Sequence, residues 1–357
     1  MAEGVLRRYR EFLPVTPQTP DLTLGEGQTP LVESRSIARE LGVGKLYFKL
    51  EGCNPTGSFK DRGMVVAVAK ALEAGHDAIL CASTGNTSAA AAAYAAAAGI
   101  SSVVLVPEGD VSEGKLSQAL AYGARIISVQ GTFDQALAIA RSIGEHYALS
   151  LVNSVNPHRI EGQKTAAFEI VDELGDAPDE LFIPVGNAGN ITAYWKGFRE
   201  YLALRRSSRA TRMMGFEAAG AAPIATGQPI AEPRTIASAI RIGNPASWSS
   251  AEAARDESKG VIGAVSDDDI VEAWKHLARS EGIFCEPASA ASVAGLAKTV
   301  REGADFSDHT VVCVLTGSGL KDPAFAASAA DTVPEQAPAD LEAVASLLGL
   351  PARLSNG

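Results

Sequence analysis

The chain has 357 residues, more than one ordinary core accommodates, so two lobes are expected. Apolar residues make up 46% and charged residues 20%, which suits a soluble globular protein. The net charge of −11 opposes a nucleic-acid backbone as partner but leaves room for local basic pockets that hold small anions.

Four cysteines, Cys53, Cys81, Cys285 and Cys313, lack paired spacing, which argues against a zinc site or a disulfide framework. Reduced thiols in a cytoplasmic protein, with no metal, are expected. The N-terminal "MAEGVLRRYREFLPV" has no signal-peptide run. The most apolar region, 88–106, is broken by Gly99, Ser101 and Ser102 and reads as a helix and a strand instead of a membrane span.

In chain order, residues 1–30 are rich in Pro and Thr and read as an arm laid over the surface. "KLYFKLE" alternates as a strand, and "SFKDRGMVVAVAKALEAG" is a helix ending near Gly75. "DAILCAS" is a buried strand, and "SAAAAAYAAAAG" is an alanine helix stopped at Gly99. Strands "SVVLVP", "RIISVQ" and "LSLVNS" then alternate with helices "SEGKLSQALAYG" and "FDQALAIARSIGEHY". A second series follows: helix "GQKTAAFEIVDELG", strand "DELFIPVG", helix "NITAYWKGFREYLALRR" and a strand in "RMMGFEAAG". It ends with helices "DDDIVEAWKHLARSEG" and "SAASVAGLAKTVREG" and the strand "TVVCVLTG".

This alternation predicts an α/β protein of two doubly wound, mostly parallel sheets, a smaller lobe inserted in a larger one. The expected division is 1–54 for the arm and the start of the large domain, 55–150 for the small domain and 151–328 for the rest of the large one. Residues 329–357 read as a linker, a short amphipathic helix and a loose tail.

Ligands in open α/β sheets bind beyond the C-terminal ends of strands. In "PVGNAGNI", Gly186 and Gly189 permit a tight backbone whose N–H groups, with the following helix N-terminus, form an anion cup made by Gly186, Asn187, Ala188, Gly189 and Asn190. The stretch is not GxGxxG, and no acidic ribose partner follows at the dinucleotide spacing. In "CASTGNTSAA", Ser83, Thr84, Gly85, Asn86 and Thr87 crowd a helix start and suit a carboxylate, with Asn86 also able to donate to a phenolate or carbonyl oxygen. In "CVLTGSGLKD", Thr316 ends a buried strand and Gly317 and Gly319 leave its hydroxyl accessible, although a plain glycine turn explains this as well. In "LVNSVNPHRIEGQKT", Asn153, Ser154, Arg159 and Lys164 suit a second anion, and an ordinary solvated loop accounts for them equally.

Lys60 opens a helix within "NPTGSFKDRG". A lysine traps carbonyls only when its amine is neutral. The helix N-terminus, burial suggested by Phe59 and Met64, and the nearby Arg62 all disfavour the ammonium. A lone lysine is ordinarily a solvated charge; the flanking glycine and the abrupt helix start weigh against that here. A carbonyl-trapping lysine, a phosphate cup, a carboxylate turn and a strand-end hydroxyl together point to pyridoxal 5'-phosphate.

With these motifs in view, the chain resembles the pyridoxal-phosphate enzymes of the tryptophan-synthase-β fold type, and within them the threonine synthase family. The resemblance runs from "RYREFLPV" and "LGEGQTPL" through "AIRIGNPASW" and "EPASAAS" to "LTGSGLKDP", leaving out about the last thirty residues. It implies a cofactor in the cleft between the lobes, carried by Lys60 next to Phe59. Asn86 would meet the ring 3′ oxygen, residues 186–190 the phosphate and Thr316 the ring nitrogen. Ser83 to Thr87 would bind the substrate carboxylate, and Asn153, Ser154 and Arg159 the substrate phosphate.

The implied reaction turns O-phospho-L-homoserine and water into L-threonine and phosphate in a homodimer, with Lys60 shuttling protons. A threonine or serine dehydratase or a cysteine synthase is the neighbouring alternative. Dehydratases typically carry a run of glycines in the cup and His after the turn asparagine, where this chain has Thr87. A non-catalytic protein on the same scaffold would lack the lysine. Asp61 and Arg62 are expected to form structural ion pairs, and His158 a surface residue.

Overall fold

The computed structural model describes residues 3–108, 113–147, 149–331 and 334–350. The expected loose tail, 351–357, lies outside them. Ten strands occur among the described residues: β1 (Leu31–Glu33), β2 (Lys45–Leu50), β3 (Ala78–Ala82), β4 (Ser101–Pro107), β5 (Arg125–Val129), β6 (Ser150–Leu151), β7 (Glu180–Pro184), β8 (Arg212–Ala218), β9 (Val261–Val265) and β10 (Thr310–Leu315). They form a six-stranded sheet, ordered β1-β2-β10-β7-β8-β9, and a four-stranded sheet, ordered β5-β4-β3-β6.

All pairings are parallel except β1 with β2. The small sheet is inserted between β2 and β7 of the large one. The parallel arrangement follows from the strands themselves. β7 is buried at every position and β10 at all but its first, so both faces need helical cover.

Three local expectations change. The N-terminal arm is anchored in the core: Val5, Leu6, Tyr9 and Leu13 are buried, and the Tyr9 and Phe12 rings lie 5.4 and 5.1 Å from Phe168. The short helix Val5–Arg8 brings Val5 and Tyr9, four residues apart, onto one face. β1 and β9 also go beyond the expected elements. β1 is only three residues long, and Gly263 weakens the apolar run of β9 while making room for the Phe216 ring. Finally, the helix expected to start at "GQKT" is two helices, Pro157–Gln163 and Thr165–Leu174, meeting at Lys164.

The first of these two helices crosses Lys60–Glu73 at very short range. A Cβ on Gly162 would lie 1.9 Å from the Arg62 carbonyl oxygen, and one on Gly63 would lie 2.7 Å from that of Arg159. Two facing glycines therefore set the approach that brings Arg159 beside the start of the lysine helix. Residues from Ala324 onward form a second compact unit with its own short helix, Leu341–Leu347, capped by Asp340.

Candidate active site

The stretch leading to Lys60 is held at three points. Ser58 and Gly317 form an antiparallel bridge, Phe59 N donates to Thr316 O at 3.0 Å, and Ser318 N donates to Gly57 O at 2.9 Å. Gly57 takes the left-handed conformation, φ 86°, that this close apposition requires. The Asp61 carboxylate accepts from Thr56 N at 2.7 Å and from the Thr56 hydroxyl, closing the loop from the other side. Burial pushes the Asp61 pKa up to about 7, against these hydrogen bonds. The loop thus hangs on the end of β10, so Lys60 and Thr316 are brought together although 256 positions separate them.

Arg62 is fully buried and does not face Lys60. Its guanidinium makes a two-pronged contact with Glu51 (2.7 and 2.8 Å) and another with Glu169 (2.6 Å each). Lys49 Nζ lies 2.8 Å from Glu169 and donates to Thr29 O at 2.7 Å. This balanced cluster of two cations and two carboxylates locks β2, the lysine helix and the helix Thr165–Leu174 together. Structural ion pairing is what the sequence suggests for Arg62, and its partners are now explicit.

Lys60 is partly open to the cleft but crowded by protein, its Nζ 4.4 Å from the Phe59 ring centroid. Burial lowers its pKa to about 7; Arg159 pushes in the same direction and Glu286 opposes. The like charge that matters is therefore Arg159, in place of the expected Arg62, which is neutralised by its own carboxylates. A pH effect follows from this value. An amine with a pKa of about 7 is increasingly neutral as pH rises through that point. The rate at which added pyridoxal phosphate is captured should therefore climb between mildly acidic and neutral pH and level off above. Stopped-flow absorbance checks this: a rise centred near the ordinary lysine value would show that Lys60 is not perturbed.

The other expected residues line the same cleft, of about 1340 Å³, which opens between the two sheets. Ser83 to Thr87 follow β3 at the start of the helix Asn86–Ala98. A side chain on Gly85 would meet open space, so the turn has room for a ligand. Gly186 to Asn190 follow β7 and open the helix Gly189–Ala203. Ala188 sits at φ 63°, left-handed and unusual for a residue with a Cβ, as functional turns often are. A Cβ on Gly186 would lie 2.9 Å from Ile240 Cα, so the cup is tight on its outer side. The Asn190 side-chain amide is buried and neither its oxygen nor its nitrogen has a protein partner. Asn187 Oδ1 accepts from Ala246 N at 3.0 Å and so ties the cup to the segment 238–246, which also lines the cleft.

The fourth turn divides. Arg159 is buried; its Nη1 donates to Val152 O at 3.3 Å, while Nε and Nη2 have no partner. Asn153 lines the cleft, but its amide bonds both backbone groups of Ala82, at 2.9 and 2.8 Å, extending the β3–β6 pairing. Ser154 lines the cleft too. Lys164 belongs elsewhere: its Nζ is held by Glu161, Glu200 and Phe12 O. His158 is half-buried, and its N–H closes a cap with Asn156.

The residue that sequence reasoning did not single out is Glu286, buried against the cleft. It accepts from Asn86 Nδ2 at 3.0 and 3.3 Å and from Thr316 Oγ1 at 3.2 Å. The available signal was an acidic residue directly before Pro287 at a helix start, within "EPASAAS". That pattern reads as an ordinary helix cap, and the side chain makes no capping bond.

The donor set fits pyridoxal phosphate. A near-neutral lysine can meet the aldehyde, an unsatisfied buried amide and a glycine cup can meet the phosphate, and a strand-end hydroxyl can meet the ring nitrogen. Residues 22–317 match the family described as "Pyridoxal-phosphate dependent enzyme". The fold is that of maize serine racemase, with a TM-score of 0.72 and 23% identity over 85% of this chain and 91% of that one. The chain belongs to the pyridoxal-phosphate-dependent enzymes.

Within that class it is 59% identical over 340 residues to the threonine synthase of Halalkalibacterium halodurans, covering 95% of this chain and 96% of that one. It is 58% identical over 351 residues to that of Synechocystis sp., covering 97% and 91%. It is a member of the threonine synthase family, and the likeness extends into the C-terminal segment that the motifs leave out.

Proposed function

We infer that this chain converts O-phospho-L-homoserine and water to L-threonine and phosphate, using pyridoxal phosphate. The observation that carries the phosphorylated substrate is Arg159, a buried guanidinium with two unpartnered nitrogens, close enough to Lys60 to depress its pKa. A buried cation without a carboxylate partner is costly, and a bound dianion offsets that cost.

Lys60, Gly186 to Asn190, Asn86 and Thr316 would hold the cofactor, with Phe59 beside it. When bound, the cofactor supplies an electron sink for charge developing on the substrate carbons. Lys60 accepts and returns protons at the substrate's Cα and Cβ; its neutral form near pH 7 suits both directions. The turn 83–87 orients the substrate carboxylate with backbone N–H groups at a helix start. Arg159, with Ser154 and Asn153 nearby, receives the leaving phosphate. Holding both ends of the substrate fixes its reacting carbons over one amine.

Replacing Arg159 by Met should lower kcat/KM for the phosphorylated substrate by about 10- to 150-fold, the equivalent of one hydrogen-bonded charge of about 1.5–3 kcal/mol. It should also raise the Lys60 pKa, so the pH profile moves to higher pH. An unchanged KM and an unchanged profile would remove Arg159 from the site.

The whole reading is tested by offering phosphohomoserine, threonine and O-acetylserine side by side and assaying phosphate, 2-oxobutyrate and cysteine. Phosphate release with threonine formation is expected. Rapid 2-oxobutyrate from threonine without phosphate release would favour the dehydratase alternative instead. A cytoplasmic homodimer completes the proposal. It is supported by family membership, and no helix among the described residues is long and apolar enough to cross a membrane. Light scattering that shows a monomer would remove the dimer.

A further inference from the structure

Thr316, 5% exposed at the end of β10, has a buried neighbour on each side of its hydroxyl. Ser289 Oγ lies 3.0 Å away and also accepts from Gly317 N at 3.0 Å. On the other side Thr316 donates to Glu286 Oε1 at 3.2 Å. Glu286 cannot move away easily. Its backbone N donates to Gly317 O at 3.0 Å, and Cys285 bridges Ser318. A Cβ on Gly317 would lie 2.6 Å from the Glu286 carboxyl carbon. The carboxyl is thus clamped over the strand end, between Asn86 and Thr316.

A hydroxyl has one proton to give. If Glu286 is ionised, Thr316 donates to it and can only accept from the group beyond. If Glu286 is protonated, Thr316 accepts from it and its own proton is free to point outward. The state of Glu286 therefore determines which form of a ring nitrogen Thr316 can serve. We propose that Glu286 and Thr316 form a proton relay to the cofactor's ring nitrogen, so that one proton is shared between the buried carboxyl and the ring. Thr316 takes the proton from the ring N–H as it passes its own to Glu286 Oε1, and the reverse restores it. No proton is gained or lost, and no bond other than O–H and N–H is made or broken.

The surroundings suit a shared proton. Burial raises the Glu286 pKa, while hydrogen bonds from Asn86 and Thr316 and the charges of Lys321 and Lys60 oppose that rise. Cys285 on its own segment is held as a thiol by burial and by Glu286. Lys321, from the turn after β10, donates to Thr56 O at 2.8 Å, and its charge acts on the carboxyl. The relay rests on the proposed cofactor pose, with the ring nitrogen at Thr316, and changes what that pose implies. A hydroxyl alone leaves the ring unprotonated, whereas a hydroxyl backed by a carboxylate lets the ring carry part of a proton.

The test reads the ring and not turnover. Holoenzyme is reconstituted with pyridoxal phosphate labelled with nitrogen-15 in the ring, and the chemical shift is followed with pH. Visible absorbance of the lysine-bound cofactor shows that it is seated. The wild-type shift should lie between the pyridine and pyridinium values and move with pH. In Glu286→Gln and in Thr316→Val it should sit at the pyridine value and stay there. A wild-type shift pinned at the pyridine value throughout would overturn the relay without any variant, which covers a variant that fails to fold. Weakened cofactor binding in Glu286→Gln with the wild-type shift retained would overturn it too, leaving Glu286 a purely structural role. Wild-type protein that takes up no cofactor would overturn the functional reading itself.

Discussion

Lys60→Ala is expected to lower threonine formation by at least about 10²- to 10⁴-fold, the contribution of one positioned acid–base. Its loss should also abolish the visible absorbance and the borohydride-reducible adduct of the bound cofactor, because Lys321, the other lysine lining the cleft, is held by Thr56 O and the Gln118 side chain. The amine opens a helix whose preceding loop is pinned to the end of β10, and it lines one cleft with residues 186–190, the turn 83–87 and Arg159. Its pKa, lowered by burial to about 7, leaves a large neutral fraction at physiological pH, as a carbonyl-trapping amine requires. The fold should be unaffected, since the side chain makes no ion pair among the described residues. Phosphate release from phosphohomoserine at the wild-type rate in this variant would end the proposed mechanism.

Arg62→Met should destabilise the protein by about 3–5 kcal/mol, the usual cost of leaving buried charges uncompensated. Glu51 would lose its cation, and Glu169 would keep only Lys49. Arg62→Lys should recover little, because an ammonium cannot make two-pronged contacts with two carboxylates at once. The pH dependence has a definite sign. Burial works against ionised Glu169, yet Arg62 and Lys49 hold its pKa down at about 2, compared with an ordinary value of 4.5. That stabilisation is complete above the ordinary value and is lost as pH falls from there toward about 2. The gap between wild type and variant in denaturant midpoint should therefore narrow in acid. A gap that is negligible at neutral pH would mean that the cluster contributes nothing net.

Both residues stand in one ten-residue stretch, and they show two kinds of legibility. Lys60 could be proposed as chemistry because glycine, serine and an abrupt helix start are local signals. Its neighbour Arg62 was not readable beyond a guess at ion pairing, because Glu51 and Glu169 come from other elements. The same limit explains the exchange of Arg62 for Arg159 as the cation that depresses Lys60. Proximity in sequence suggested one, and the glycine-to-glycine helix crossing delivered the other. Lys164 fell out of the anion turn for a related reason, since Glu200 on another helix captures it.

The sequence by itself determined the α/β alternation, the four strand-end turns and a lysine at a helix start, and through its ordered motifs the family. These are properties of local periodicity, backbone-permissive glycines and side-chain chemistry at fixed spacing. Tertiary structure alone decided which groups share a site and which way burial and neighbouring charges push their pKa values. It converted the N-terminal arm from a surface strap into a core anchor, because Tyr9 and Phe12 find ring partners in Phe168 and Tyr201 and Val5 is buried in the same core. It also placed Glu286 between Asn86 and Thr316, where three segments distant in the chain converge. Burial and charge pairing depend on neighbours brought from afar, and no window of sequence contains them.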